Sequence, residues 1–209
     1  MSIHETTDMA KKDLVYSLIL CALISLVWYI CTGDTKRRKT AFCLGTIIFM
    51  ASYPLFLDYM VIGHDLPFHL NRIESIKIGL QQGVFPVKIQ PFWIYDYGYA
   101  TGVFYGDILL YFPALLRIMG LSIQSAYMIF VVAINIGTTL ISYFSFKKIL
   151  GSNRLGLLAS MLYTLSYYRL LNVYTRAAVG EFYAKMFLPM CYEGLCQIVT
   201  YTGTQRKVC

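Results

Sequence analysis

The sequence predicts an all-α membrane protein, a polytopic bundle of about five transmembrane helices with juxtamembrane helices along its outer face. Of its 209 residues, 57% are hydrophobic and only 14% are charged, and the mean hydropathy is +0.57. Soluble domains average roughly 25% charged residues, so this deficit argues for an integral membrane protein. Clusters of Lys and Arg alternate with the long apolar runs. The net charge of +7 therefore reports membrane orientation first, and no nucleic-acid partner is predicted.

Five apolar runs are candidates for spanning helices, because a crossing of roughly 30 Å of hydrocarbon takes about 20 residues. Backbone groups in lipid must be hydrogen-bonded internally, so each run is predicted to be a helix. The runs are residues 14–31, 41–62, 126–146, 155–171 and 182–201. They divide the chain into a two-span N-terminal hairpin (1–62), a first outer loop with interfacial helices (63–125) and three further spans (126–209).

Three basic clusters predict the orientation of these spans. They lie between spans one and two, between spans three and four, and after span five: "KRRK" at 36–39, "KKILGSNR" at 147–154 and "QRK" at 205–207. Cytoplasmic loops of membrane proteins carry an excess of Lys and Arg. All three clusters fall in the cytoplasm if the chain crosses five times and its N-terminus lies outside. The first basic cluster also favours a stop-transfer flank over a cleaved signal peptide.

A sixth apolar segment, "GDILLYFPALLRIMG" at 106–120, is interrupted by Pro113 and Arg117. A crossing here would move the second basic cluster to the outside. We therefore predict a helix over 108–119 that lies in the outer interface. A second interfacial helix is predicted over 67–82, and the Gly-, Pro- and Tyr-rich stretch between the two is predicted to be a loop.

The densest group of ionisable side chains begins the first outer loop, in "VIGHDLPFHLNRIESIKIGL". A helix that starts near Asp65 places Asp65, His69 and Arg72 on one face. One interpretation is a polar site at the membrane surface. The alternative is that Asp65 only caps the helix before Pro67 while Arg72 contacts lipid phosphate. His64 and His69 are poorly spaced for a metal pair, so no metal site is predicted, and a divalent metal is not supported as a cofactor.

The second outer loop, "RLLNVYTRAAVGE" at 169–181, holds Tyr174, Arg176 and Glu181. Glu181 opens span five, where the helix dipole favours an anion, and Lys185 follows at a favourable spacing. These residues either anchor the helix start or let Arg176 hold a phosphate with its planar fork.

Three further candidate carboxylates lie elsewhere. Glu193 is inside a predicted span, so it should point into the bundle. Asp96 lies in the Tyr-rich loop and Asp107 closes that loop. Both are candidate substrate or ion contacts, although Asp in loops commonly forms turns. The six cysteines form no CxxC pair and are interpreted as small hydrophobic residues.

Three stretches, "GHDLPFHLNRIESIKIGLQQGVFPVKI", "YGYATGVFYGDILLYFPALLRIMGLS" and "YYRLLNVYTRAAVGEFYAKMFLP", resemble a bacterial integral membrane family. That family is labelled 6-pyruvoyl-tetrahydropterin synthase-related, although nothing in this chain resembles soluble pterin-synthase chemistry. The resemblance covers about residues 55 to 200. Its most specific element is "YxRxAxGE", formed by Tyr174, Arg176, Ala178, Gly180 and Glu181. The family in turn resembles the C-type membrane glycosyltransferases, whose architecture is called GT-C.

The resemblance implies transfer of a sugar from a polyprenyl-phosphate-linked donor to an acceptor at the outer face of the bacterial cytoplasmic membrane. Asp65 corresponds to the carboxylate of the first outer loop and would act as general base. Arg72 and Arg176 would hold the carrier phosphate, and His69 would orient Asp65 or touch the phosphate. This assignment requires Asp65 and Arg176 to meet on the outer side, close enough to hold one molecule.

Further residues follow from the same resemblance. Tyr174 and Glu181 would belong to the phosphate site, and the remaining candidate substrate contacts are His64, Asp96 and Asp107. The partners are a lipid-linked sugar donor and membrane lipids. Such enzymes are longer and have more spans, so this chain is expected to be an N-terminal fragment. It also departs from them in having one extra span before the first outer loop. The rival interpretations are a transporter or flippase with Lys185 and Glu193 along its path, and a non-catalytic membrane subunit.

Overall fold

A computed structural model describes residues 35–56 and 63–206, with side chains described up to residue 200. The α-helices are α1 (Thr35–Ser52), α2 (Leu66–Gln81), α3 (Thr101–Phe104), α4 (Tyr111–Ile118), α5 (Ile123–Leu150), α6 (Asn153–Thr164), α7 (Tyr167–Leu170) and α8 (Val179–Arg206). In these ranges the one β pairing is an isolated bridge between Gln90 and Tyr99. The all-α fold class is thus confirmed, whereas the predicted span at 14–31 lies outside the described residues.

Helix α5 is the centre of the fold and packs against α1, α6 and α8, with α2 and α4 contacting it as well. Its first turn is capped by Ser122, whose hydroxyl accepts a hydrogen bond of 3.1 Å from the Ser125 amide. It ends at Gly151, which adopts the left-handed conformation common after helix C-termini (φ 64°). Lys147 and Lys148 in the last turn complement the helix dipole.

Among the described residues, α5 is the one helix long and apolar enough to cross a membrane. Its 28 residues correspond to about 42 Å at 1.5 Å per residue. Helix α8 has the same length but carries Glu181, Lys185 and Glu193, and the first turns of α1 contain the "KRRK" cluster. Of the predicted five-span architecture, these residues therefore establish a helical bundle with one candidate span.

The prediction of one continuous helix over 155–171 is wrong. Helix α6 ends at Thr164 after 12 residues, about 18 Å, which is less than the thickness of the hydrocarbon core. Ser166 then adopts an extended conformation (ψ 136°) before α7 and a π-helix at Leu171–Thr175. The break leaves the Thr164 carbonyl without a helical partner. The Arg169 guanidinium donates a hydrogen bond of 3.0 Å to that carbonyl, which stabilises the interruption.

The helix predicted over 108–119 is confirmed as too short to span. A three-residue 3-10 turn at Ile108–Leu110 leads into α4, which has eight residues and packs on α2. Arg117 of α4 makes a two-pronged contact with Glu74 of α2, with Nε–Oε2 2.9 Å and Nη2–Oε1 3.3 Å. Burial raises the pKa of Glu74, but hydrogen bonds from Arg117 and Lys77 outweigh it and leave the pKa below its usual value. This ion pair joins the two predicted interfacial helices.

Candidate functional site

The two predicted outer loops meet at Asp65 and Arg176. The Asp65 amide donates a hydrogen bond of 3.0 Å to the Arg176 carbonyl. Two residues earlier, Gly63 packs so closely on the second loop that an added Cβ would lie 2.7 Å from the Thr175 carbonyl oxygen and 3.1 Å from the Ala177 Cβ. Glycine is therefore required at 63 for the loops to approach, and we call this contact the loop junction (63–66 with 175–177).

Asp65 occupies the N-cap position of α2, and its side chain is exposed. Within the described structure the carboxylate makes no capping hydrogen bond with the first turn of α2. The interpretation that Asp65 serves only as a helix cap is therefore not supported, and its carboxylate faces solvent at the loop junction. His64 beside it is exposed as well.

Arg176 lies between two backbone irregularities. The π-helix at Leu171–Thr175 precedes it, and Ala177 after it adopts a left-handed φ of 53°. Both kinds of irregularity are costly and concentrate at functional sites. The Arg176 Nη1 donates to Asn172 Oδ1 at 2.9 Å and lies 3.2 Å from Glu181 Oε1. Its side chain is still 39% exposed, so the guanidinium is oriented and accessible.

Glu181 joins three donors at the start of α8. Its Oε1 contacts Arg176, while Oε2 lies 3.4 Å from both Lys185 Nζ and the Tyr168 hydroxyl. Lys185 Nζ also lies 3.9 Å from the centre of the Tyr168 ring, a cation–π contact. Desolvation raises the pKa of Glu181. The hydrogen bond from Lys185 and the charge of Arg176 together lower it by more, so the net shift of the pKa is downward. The predicted Glu181–Lys185 pair is present, and Arg176 belongs to the same cluster.

A second acid–guanidinium arrangement on α2 is buried. Arg72, 1% exposed, forms an ion pair through Nη2 with Oδ1 of Asp107, 7% exposed. The rings of Phe68 and Tyr105 lie 5.6 Å and 5.3 Å from the guanidinium carbon. His69 Nδ1 is 3.4 Å from Arg72 Nη1. Burial, with the charge of Arg72 adding to it, lowers the pKa of His69 to about 4, so this imidazole is neutral at pH 7.

These positions correct three predictions about α2. Its buried residues Leu66, His69, Ile73 and Ile76 follow the i, i+3, i+4 spacing of a core-facing stripe. His69 and Arg72 therefore point into the protein, and they do not share one polar face with the exposed Asp65. The predicted phosphate contact of Arg72, the two roles predicted for His69 (orienting Asp65 or touching the phosphate) and the substrate contact of Asp107 do not fit this burial. Because the pair is excluded from water, each charge offsets part of the desolvation cost of the other.

Tyr174 is also internal. Its hydroxyl donates to the Ala51 carbonyl (2.5 Å) and lies 3.3 Å from Asn135 Nδ2, so it joins α1 to α5 and is not placed to contact a substrate. Asn135 Oδ1 in turn accepts a 2.6 Å hydrogen bond from Arg169, which is 2% exposed. This buried polar network was not predicted from the sequence. A charged residue at the end of an apolar run was the available signal for it.

The remaining predicted residues lie apart from the loop junction. Asp96 is exposed at the tip of the loop between Gln90 and Tyr99. Glu193 is nearly buried, as predicted, and its Oε1 accepts hydrogen bonds of 2.9 Å from Lys148 and Gln197. Among the contacts described above, none joins Glu193 to Lys185. Across the described ranges, no group of three or more His, Cys, Asp or Glu residues could hold a metal ion.

Comparison with known proteins identifies one distant similarity. The chain is 26% identical over 153 residues to an uncharacterized protein of Lactococcus lactis subsp. cremoris, an alignment that covers 71% of this chain and 25% of that protein. The chain thus spans about a quarter of the length of the curated relative it matches. No profile of a known protein family matches the chain. No solved structure matches it.

Proposed function

We propose that this chain contributes the outer-face site of a multi-pass bacterial membrane glycosyltransferase that uses a polyprenyl-phosphate-linked sugar donor. The observation that carries the proposal is the loop junction. There an exposed carboxylate, Asp65, and an accessible, oriented guanidinium, Arg176, are joined through one backbone hydrogen bond of 3.0 Å. An acid and a planar cation in this arrangement suit an acceptor hydroxyl and a phosphate, respectively.

The packing of α8 on α5 supports the proposed five-span topology. The two helices are in contact at Phe130–Phe182, Gly137–Met186 and Lys148–Glu193. Residue numbers increase in the same direction along both helices, so the helices are parallel. Their C-terminal ends then lie on one side, as the cytoplasmic placement of the basic clusters requires. The loop junction precedes α8 and α2, at the opposite end of the bundle.

The proposed reaction is a single displacement at the anomeric carbon. The Asp65 carboxylate takes the proton of an acceptor hydroxyl as that oxygen forms a bond to the anomeric carbon. The bond from this carbon to the phosphate oxygen breaks, and its electron pair leaves with the polyprenyl phosphate. Arg176, held by Asn172 and Glu181, stabilises the charge on the departing phosphate. The configuration at the anomeric carbon is inverted.

The test is Asp65→Asn in the full-length protein, reconstituted in liposomes with a radiolabelled polyprenyl-phosphate sugar and an envelope extract as acceptor. Loss of a general base should reduce transfer by roughly 10²–10⁴-fold. Gln82→Ala, an exposed change at the far end of α2, serves as the matched control and should retain full transfer. Circular dichroism checks that both variants fold. Unchanged transfer by a folded Asp65→Asn protein contradicts the proposal.

A further inference from the structure

The loop from Gln90 to Tyr99 presents tyrosines and a carboxylate away from the body of the protein. We propose that it is a carbohydrate-binding loop in which Tyr95, Asp96 and Tyr97 hold one pyranose ring. Its biological role rests on the proposed sugar transfer, for which it would supply a sugar subsite apart from Asp65. Its binding can be measured without any transfer.

The base of the loop is held firmly. Gln90 and Tyr99 exchange two backbone hydrogen bonds of 2.9 Å and 3.0 Å, and the Gly98 amide donates to the Trp93 carbonyl at 2.9 Å. The Trp93 ring stacks on Tyr99 with centroids 5.5 Å apart, and its Nε1 donates to the Ser75 hydroxyl of α2 at 3.3 Å. The tip is therefore presented from a base fixed to α2.

The tip has an unfavourable backbone. Ile94, Tyr95 and Asp96 have φ angles of 57°, 53° and 67°, three successive non-glycine residues in the left-handed region. This conformation is a strong outlier for a β-branched residue such as Ile94. Such strain persists where the surrounding structure imposes it, and it concentrates at binding sites.

The strained turn exposes the apolar side chain of Ile94 (57%) and, beside it, three side chains that carry an aromatic ring or a charge. Tyr95 is 97% exposed and Tyr97 is 88% exposed, with the exposed Asp96 between them. Within the described part of the chain, none of the three side chains has a hydrogen bond, an ion pair or a ring contact. Two aromatic faces and one carboxylate are thus free to contact a ligand.

This combination fits a sugar better than a lipid. A pyranose has an apolar face of C–H groups that packs on an aromatic ring, and hydroxyls that donate to a carboxylate. Tyrosine provides this contact at a low cost in side-chain entropy. Segments that insert into a membrane interface carry Lys or Arg beside their apolar residues, whereas a carboxylate at the tip opposes insertion.

Trp93 at the base of the loop is a natural reporter, because the chain has only one other tryptophan, Trp28. In a Trp28→Phe background, the full chain in nanodiscs is titrated with methyl glycosides of glucose, galactose, mannose and N-acetylglucosamine. At least one glycoside should change the Trp93 emission saturably. Tyr95→Ala or Tyr97→Ala should weaken binding about tenfold, or about 1.4 kcal/mol, and Asp96→Asn severalfold. Tyr167→Ala, an exposed tyrosine outside the loop, should leave binding unchanged.

Three outcomes overturn the inference: no saturable change with any glycoside, unchanged binding in a folded Tyr95→Ala/Tyr97→Ala protein, or quenching of Trp93 by brominated lipid that disappears in that variant. The last outcome identifies a membrane contact instead. Asp65→Asn separates this inference from the proposed function, since it should retain glycoside binding while transfer is lost. Binding at the loop with unaffected transfer by Asp65→Asn would refute the proposed function and leave the loop assignment standing.

Discussion

Two polar clusters that involve α2 each contain a carboxylate and a guanidinium, one exposed to solvent and the other buried. At the loop junction, Asp65 is exposed and Arg176 is 39% exposed. Four to seven residues further along α2, His69 and Arg72 are buried, and Arg72 is paired with Asp107. The buried cluster satisfies its charges internally and holds the first outer loop on α2. The exposed cluster leaves a carboxylate and part of a guanidinium accessible to solvent, so accessibility separates the charges paired inside the protein from those that the proposed function uses.

Removal of one partner from the buried cluster should have the largest effect. Asp107→Ala leaves the Arg72 guanidinium, 1% exposed, without its anion. A buried charge that loses its partner lowers the free energy of unfolding by about 3–5 kcal/mol. Denaturation in mixed micelles followed by circular dichroism measures this change. The double variant Arg72→Leu/Asp107→Leu should recover much of the loss, and Arg176→Ala should cost less than about 1 kcal/mol. Equal losses of unfolding free energy for Asp107→Ala and Arg176→Ala would contradict the distinction between a buried and an exposed cluster.

The buried cluster should also produce a pH dependence. In the unfolded chain His69 binds a proton below about pH 6.5, whereas in the folded protein burial and Arg72 lower its pKa to about 4. Unfolding therefore takes up a proton between these values, so stability is full above pH 6.5 and falls as the pH drops towards 4. The loss should approach about 3 kcal/mol.

Stability curves of His69→Gln and His64→Gln measured from pH 7 to pH 4 isolate this effect. His69→Gln should lose that part of the pH dependence, and His64→Gln, which changes an exposed residue, should keep it. Identical curves for the two variants would show that His69 does not titrate as its burial requires.

A substitution with a smaller expected effect on stability tests the close packing at the loop junction. Gly63→Ala places a methyl group 2.7 Å from the Thr175 carbonyl oxygen and should cost about 1–3 kcal/mol. Gly45→Ala is the matched control, because no atom of the described residues lies within 4 Å of its added Cβ, and it should stabilise α1 by about 0.5–1 kcal/mol. The unfolding assay above measures both. A neutral Gly63→Ala variant would mean that the two loops do not pack as closely as described.

Local pattern was sufficient to predict much of the fold. The apolar run at 126–146 predicted α5, and the short interrupted run at 108–119 predicted a helix that does not span. The break at Thr164 was not predictable from hydropathy. Arg169 binds the freed carbonyl and is itself held by Asn135 and Thr138 of α5, contacts that form only when the helices pack. The hairpin over 1–62 and the end of the last span remain predictions.

The site was predictable in part for a similar reason. Charge and hydropathy placed Asp65 and Arg176 in two predicted outer loops, and one hydrogen bond joins their backbones. Their position on the outer side and their shared ligand remain predictions. Spacing along α2 did not show that Asp107, 35 residues from Arg72, would neutralise it and allow its burial. Pairing between residues distant in sequence decided which charges face solvent, and the alternation of residues along one helix does not contain that information.

The central claim is that Asp65 and Arg176 form one site on the outer side of the membrane. With the six native cysteines replaced by alanine, Asp65→Cys, Arg176→Cys and Lys148→Cys are introduced singly and treated in intact cells with a membrane-impermeant maleimide. Positions 65 and 176 should be labelled without permeabilisation, and position 148 only after it. Labelling of 65 and 176 from opposite sides of the membrane, or of both only after permeabilisation, would contradict the account.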